Sequence, residues 1–289
     1  MEKMNQTELQ KLHNLTLQMA QVFVDFCKKN NLMCYLCGGG CIGTIRHEGW
    51  IPWDDDLDFF MPRKDYEKAI KLWPIEMKNS RYKMEMSNKD HIDGNLFFVI
   101  RDSETTYIKP YQENMDITQG IVLDVLPLDG YPTGRLERKM QCFWALIYSL
   151  YCAQMIPVNH GKIVEIIGKI MLTILPGKEI RYKIWKYAEY QMSKYKIEDC
   201  NGITELCSGP GYMKNWYPKE AFEKAVFLPF EGIKLPVPVG YDAYLKTAFG
   251  DYMKLPPAEK QVASHDVSFM DLDNSYLIYK GKKYLKREK

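Results

Sequence analysis

Two groups of residues in this chain have the types and spacing to do chemistry. The run Ile51-Pro52-Trp53-Asp54-Asp55-Asp56-Leu57-Asp58 crowds carboxylates between apolar neighbours, because Phe59 and Phe60 follow at once. On an extended strand Asp56 and Asp58 share a face, since alternate side chains point the same way. Two carboxylates held on one edge repel, and a divalent cation removes that cost. Hard oxygen donors of this kind suit magnesium or manganese. A third carboxylate is expected from a neighbouring strand. Asp124 fits, as a charge inside the apolar run Gly120 to Leu126, where a charge needs a partner or a metal. Asp129 competes, but Leu128-Asp129-Gly130 reads as a turn, where aspartate is ordinary.

The second group is Gly38-Gly39-Gly40, which follows the apolar run Leu32 to Cys37 and precedes a short helix expected over Ile42 to His47. Glycines let the backbone approach a ligand closely, and the N–H groups at the start of a helix attract phosphate. Gly38 and Gly39 are therefore the candidate phosphate seat. Arg46 is a further candidate, because its forked donors match phosphate oxygens. Carboxylates holding a metal opposite such a seat make a phosphoryl-transfer site.

Other readings of the same residues fail on spacing. Asp54, Asp56 and Asp58 occupy the first ligand positions of a calcium loop, but Phe59 and Asp65 stand where that loop needs glycine and glutamate. Cys34, Cys37 and Cys41 lack the second half-site of a zinc cluster.

The elements that must position these groups are legible from periodicity. Leu12, Leu15, Met19, Val22, Phe23 and Phe26 predict an amphipathic helix over about 6–30. Strands are expected over Leu32 to Cys37, Leu57 to Met61, Arg81 to Met86, Leu96 to Arg101 and Gly120 to Leu126. Helices are expected over Asp65 to Trp73 and Tyr241 to Phe249. A mostly helical, apolar and basic block occupies about 134–200. The pattern gives an α+β (α/β-like) class, with the whole chain, 1–289, read as one catalytic domain. Met140 to Gly161 carries no formal charge and approaches the length of a membrane span. Its Gln141, Gln154, Pro157, Asn159 and His160 favour a buried helix, and the surrounding basic residues keep contact with a membrane surface open.

Bulk composition excludes several classes. The 289 residues are 46% hydrophobic and 26% charged, ordinary for a folded protein, and the net charge of +2 creates no field for nucleic acid. Met1-Glu2-Lys3 leads into the amphipathic pattern and not into an export signal, so the 8 cysteines are expected to be reduced, in a cytoplasmic protein with peripheral contact to the inner membrane face as an option.

The motifs closely resemble the signature of the LicD family, phosphocholine transferases of bacterial surface glycans related to the fukutin-type ribitol-phosphate transferases. The resemblance runs through Gly38-Gly39 to Arg46-His47, then Gly49-Trp50-Ile51-Pro52-Trp53-Asp54-Asp55-Asp56-Leu57-Asp58. It continues in Arg101-Asp102-Ser103, in Asp124-Val125-Leu126-Pro127-Leu128-Asp129-Gly130, and in Phe249-Gly250-Asp251-Tyr252-Met253 with Leu255-Pro256-Pro257. It implies a nucleotidyltransferase fold with a mixed sheet core, and Asp56, Asp58 and Asp124 as the magnesium carboxylates and catalytic residues. Asp54 matches an acidic position of the same motif, and Arg101 and His265 are secondary candidates. The implied donor is CDP-choline, with CMP as leaving group. The implied acceptor is a hydroxyl of a glycan or lipid-linked glycan: teichoic acid, lipopolysaccharide or a capsule precursor. The alternatives are another CDP-alcohol (ribitol, glycerol or ethanolamine) and a non-catalytic nucleotide-binding scaffold. Gly40 departs from the family, which commonly has threonine there.

Overall fold

The first helix shows how directly local sequence sets the elements. In α1 (Gln6–Lys29) the Asn5 side chain accepts from the Glu8 N–H at 2.9 Å, and Glu8 accepts from the Asn5 N–H at 2.9 Å, a reciprocal capping box. Its buried stripe includes Leu12, Met19, Phe23 and Phe26, the face that periodicity predicts, but it also takes in His13 and Thr16. The helix stops at Asn30, with Asn31 in the left-handed region.

A computed structural model describes residues 5–154, 168–173, 177–262 and 266–286. The chain parts into two compact units, Met1–Glu85 with Val99–Val125 and Glu220–Lys289, and Met86–Phe98 with Leu126–Lys219.

In the first unit, β1 (Tyr35–Cys37) is followed by α2 (Gly38–His47), β2 (Asp58–Pro62), α3 (Arg63–Glu76), β3 (Tyr82–Glu85) and β4 (Phe98–Asp102). β5 (Thr106–Ile108) and the long β6 (Val122–Tyr131) come next. The sheet order is β1-β2-β6-β4-β3, which sets β2 beside β6. β1 and β2 are antiparallel, with Cys37 opposite Asp58 and Leu36 opposite Phe59. The first acidic strand residue therefore lies across from the last residue before the glycines. Side chains alternate along β2, so its two phenylalanines serve different cores. Phe59 meets Phe23 of α1 edge-on at 5.1 Å, and Phe23 and Phe26 also meet Trp73 of α3. Phe60 meets Phe222 and, at 5.6 Å, Tyr244.

β6 continues from the first unit into the second, where β7 (Gly202–Glu205) pairs with it from Leu128 to Tyr131, and β8 (Tyr217–Pro218) pairs with β7. The turn expected at Leu128-Asp129-Gly130 is thus strand, and Asp129 is fully buried opposite Thr204. The helical block supplies α4 (Arg135–Ala153) and α5 (Lys178–Ser193), which pack on each other around Ala145, Tyr148, Trp185 and Ala188. No helix among the described residues is long and apolar enough to cross a membrane. Residues 155–161 of the uncharged stretch lie outside the described residues.

The first unit closes with β9 (Ala225–Phe230), β10 (Ile233–Pro238), α6 (Tyr241–Phe249) and β11 (Phe269–Asp271). β9 and β10 form a hairpin whose two turn residues, Glu231 and Gly232, both have positive φ, +48° and +80°. That is the turn whose twist matches a two-residue hairpin. Helices and mixed strand pairings together bear out the α+β expectation.

Candidate functional site

The acidic loop arrives at the sheet held from behind. The Asp54 N–H donates to the Ile51 carbonyl at 2.9 Å, closing a tight turn. His13 Nε2 lies 2.7 Å from the Asp54 carbonyl, and an oxygen acceptor there requires the proton on Nε2. The His13 ring stacks on Trp50, with centroids 4.0 Å apart and planes 5° from parallel. Trp50 in turn donates its backbone N–H to Glu231 Oε1 at 3.1 Å, and the Glu231 N–H donates to the Glu48 carbonyl at 3.0 Å. The strained hairpin residue Glu231 therefore anchors the acidic loop. Burial lowers the His13 pKa, against the raising influence of the Asp54 carbonyl and of the Glu231 and Asp55 charges.

One carboxylate oxygen each from Asp54, Asp55 and Asp56 lies within 4.8 Å of the others. Asp55 is buried and accepts from the Tyr107 hydroxyl at 3.5 Å. Asp55, Asp56, Tyr107 and Lys109 line a recess whose apolar side is Leu12, Ile121 and Val122. Asp58 Oδ1 is enclosed and has no hydrogen-bond partner among the described residues. Its carboxyl is pushed well above the usual carboxylate range, first by burial and then by the negative charges of Asp56, Asp124 and Asp54, with Lys109 opposing. The structure thus brings Asp54, Asp56, Asp58 and Asp124 into one electrostatic neighbourhood. β2 begins at Asp58, so Asp56 reaches it from the loop and not by strand alternation.

An ionised Asp58 beside three other carboxylates, with its enclosed oxygen unbonded among the described residues, is unfavourable without a cation. The donor set is all oxygen and carries several negative charges, so it fits a hard divalent cation such as magnesium or manganese.

The glycines differ from the expected turn: Gly38, Gly39 and Gly40 form the first turn of α2 itself, with no side chain among the described residues capping it. Gly38 has φ +52°, which glycine alone adopts cheaply. A Cβ on Gly39 would collide with the Asp54 carboxylate, so this helix start and the acidic loop touch only because residue 39 has no side chain. The Gly38 N–H donates to the Tyr244 hydroxyl at 3.0 Å. Arg46 lies two helical turns further on, roughly 10 Å along the axis at 1.5 Å per residue. Its Nη1 donates to the Tyr252 carbonyl at 2.7 Å, and burial lowers its pKa. Arg101 is buried on β4 with Nε 3.2 Å from Glu85 Oε2, and Glu85 Oε1 accepts from the Thr118 N–H. No contact among the described residues brings Arg46 or Arg101 to the aspartates. His265 lies outside the described residues.

The residues missed from sequence are His13, Tyr107, Lys109 and Glu231. His13 had a signal, as a polar residue in the buried phase of α1. The other three had none, because each reaches the loop from a remote segment.

A carboxylate cluster where the acidic loop meets the interior strands β2 and β6, against the glycine start of a helix, is the arrangement that a nucleotidyltransferase-like site requires. Residues 31–132 match the family model described as LicD/FKTN/FKRP, nucleotidyltransferase domain. This segment spans Gly38, Gly39, Arg46, Asp54, Asp56, Asp58, Arg101 and Asp124, and the resemblance read from the motifs is borne out. The chain is also similar to the lipopolysaccharide cholinephosphotransferase LicD of Haemophilus influenzae. The two are 27% identical over 277 residues, covering 91% of this chain and 97% of that protein.

Proposed function

We propose that the protein transfers phosphocholine from CDP-choline to a hydroxyl of a cell-surface glycan of the lipopolysaccharide class, with release of CMP. The observation that carries the reading is the enclosed Asp58 oxygen, without a hydrogen-bond partner among the described residues, in the field of Asp54, Asp56 and Asp124 and beside the glycine start of α2. The name of the Haemophilus relative supplies the headgroup and the acceptor class.

Asp56, Asp58 and Asp124, with Asp54 beside them, are the side chains that would hold a magnesium ion. Such an ion neutralises a diphosphate and stabilises charge on the leaving phosphate. The rest of the task falls to the chain. The N–H groups of the first turn of α2 orient phosphate oxygens. Lys109, which lines the same recess as Asp55 and Asp56, supplies a cation to the same diphosphate. The acceptor oxygen forms a bond to the phosphorus bearing choline as the bond from that phosphorus to the bridging oxygen of CMP breaks. One carboxylate of the cluster takes the hydroxyl proton. Leu12, Ile121 and Val122 keep water from that wall of the recess, which strengthens each of these interactions.

The test is CMP release. The purified chain is incubated with CDP-choline, CDP-ribitol, CDP-glycerol or CDP-ethanolamine, with magnesium and with a lipopolysaccharide acceptor. Acceptor-dependent release from CDP-choline is the expected result. Release from a different CDP-alcohol would reassign the headgroup, and release from none would sink the transferase reading.

A further inference from the structure

The two helices α4 and α5 of the second unit are amphipathic on the side that faces their shared core, and apolar again on the side that faces solvent. On α4, Arg138, Gln141, Ala145, Tyr148 and Cys152 make the buried face. On the opposite face Leu136, Met140, Phe143 and Leu146 recur at helical spacing and are exposed, Leu136 by 73%. α5 repeats the arrangement with Tyr187 and Tyr190, the latter 64% exposed. The two outer faces are joined by rings. Phe143 meets Trp144 edge-on at 5.2 Å, and Trp144 meets Tyr187 at 5.2 Å, so aromatic surface runs from one helix to the other. Scattered single exposed apolar residues are ordinary, but a contiguous patch marks a binding surface.

The charge around the patch selects the partner. Leaving aside the buried Arg138, α4 has two basic side chains against one acidic, and α5 has four against two. Outside that buried arginine the two helices hold an excess of three positive charges, in a chain whose net charge is +2. Lys139 is exposed within the α4 stripe, and Lys183 and Tyr187 share the outer face of α5. Long basic side chains beside exposed leucine, phenylalanine and tyrosine match a lipid interface. The stems lie along apolar surface, the ammonium groups reach phosphate headgroups, and tyrosine sits at headgroup depth. A soluble protein partner has no need of so one-sided a charge, and a second copy of the same patch would set its positive charges against each other.

We infer that the outer face of α4 and α5 docks on the surface of an anionic phospholipid bilayer, with Phe143 and Tyr187 entering the headgroup boundary and Lys139 and Lys183 binding lipid phosphates. This goes beyond the transferase reading and does not depend on it, because the patch is built wholly within the second unit.

The test is flotation of the full chain with vesicles of phosphatidylcholine alone or of phosphatidylcholine mixed with phosphatidylglycerol, at low and raised salt. The chain is expected to float with the anionic vesicles at low salt, and to be released as salt rises. Phe143→Ser with Tyr187→Ser, and separately Lys139→Glu with Lys183→Glu, should each lower the bound fraction's partition coefficient by about tenfold or more. All four positions face solvent, so these variants should keep the parent melting temperature, which is measured alongside. A chain that stays unbound at low salt overturns the inference, as does equal binding to neutral vesicles or undiminished binding by both folded variants. So does sedimentation showing that the patch pairs two copies in solution and that this pairing, not vesicle binding, is what the variants lose.

Discussion

At the residue scale, Asp58 is a carboxylate that the fold alone does not stabilise. It feels the charges of Asp56, Asp124 and Asp54, and its enclosed Oδ1 has no donor among the described residues. Stability and activity should therefore respond to its replacement in opposite directions. Asp58→Asn removes a carboxyl that ionises only against its neighbours' repulsion, so the metal-free melting temperature should hold or rise. The same change should lower acceptor-dependent CMP release by about a thousandfold, equivalent to roughly 4 kcal/mol at 1.36 kcal/mol per factor of ten. A variant that melts lower and still turns over would mean that Asp58 is an ordinary structural residue. Lys109 makes a separate case, because it lines the recess as a cation beside the acidic loop. Lys109→Gln should raise KM for the CDP-alcohol by about tenfold while Lys109→Arg keeps part of the loss back, as expected when a charge contacts phosphate. Unchanged KM in both variants would remove Lys109 from the site.

At the element scale, the acidic loop depends on a chain of contacts from α1 to the β9–β10 hairpin: His13 on the Asp54 carbonyl, Trp50 on His13, and Glu231 on the Trp50 N–H. His13→Phe keeps a ring against Trp50 but withdraws the donor from a partly buried carbonyl. The cost should be about 1–3 kcal/mol in denaturant unfolding, with weakened manganese affinity as the loop loosens. If manganese binds the variant as tightly as the parent, this contact is structural only. The elements also show what a single sequence reveals. α1 and α6, and most of the strands of the first unit, were legible because their apolar residues recur at a helical or strand period. The β9–β10 hairpin was hidden by Pro229, Pro236 and Pro238, which punctuate a strand pattern. Asp129 was misread as a turn residue because Pro127 and Gly130 flank it. The ladder partner that keeps β6 extended there is β7, more than 70 residues away, and no local signal announces it. The acidic loop and its glycines were legible as a site for the opposite reason, since their chemistry is written in consecutive residues. His13, Tyr107, Lys109 and Glu231 join it only through folding.

At the scale of the whole molecule, the two units carry different physical problems. The second unit buries Glu205 with the Tyr217 hydroxyl and Asn215 as donors, and burial pushes its carboxyl above the ordinary value. The folded chain therefore keeps this proton at pH values where the unfolded chain has released it. The associated stability is full below the ordinary carboxyl value and declines as pH rises through the raised one. Glu205→Gln should flatten that decline in melting scans taken from about pH 4 to about pH 8, a range that starts near the ordinary glutamate value. Parallel curves for parent and variant would show that Glu205 is ionised in the fold. The first unit instead gathers negative charge at one place and needs something from solution to neutralise it.

The most direct test of that need is calorimetric titration of manganese into the chelator-treated full chain, with Asp58→Asn as its control. The parent should bind the ion, and at a hundredfold excess over Kd it should gain about 2.7 kcal/mol of stability, while the variant should gain little. Absence of binding by the parent, or equal binding and stabilisation in the variant, would contradict a cation site built on these aspartates.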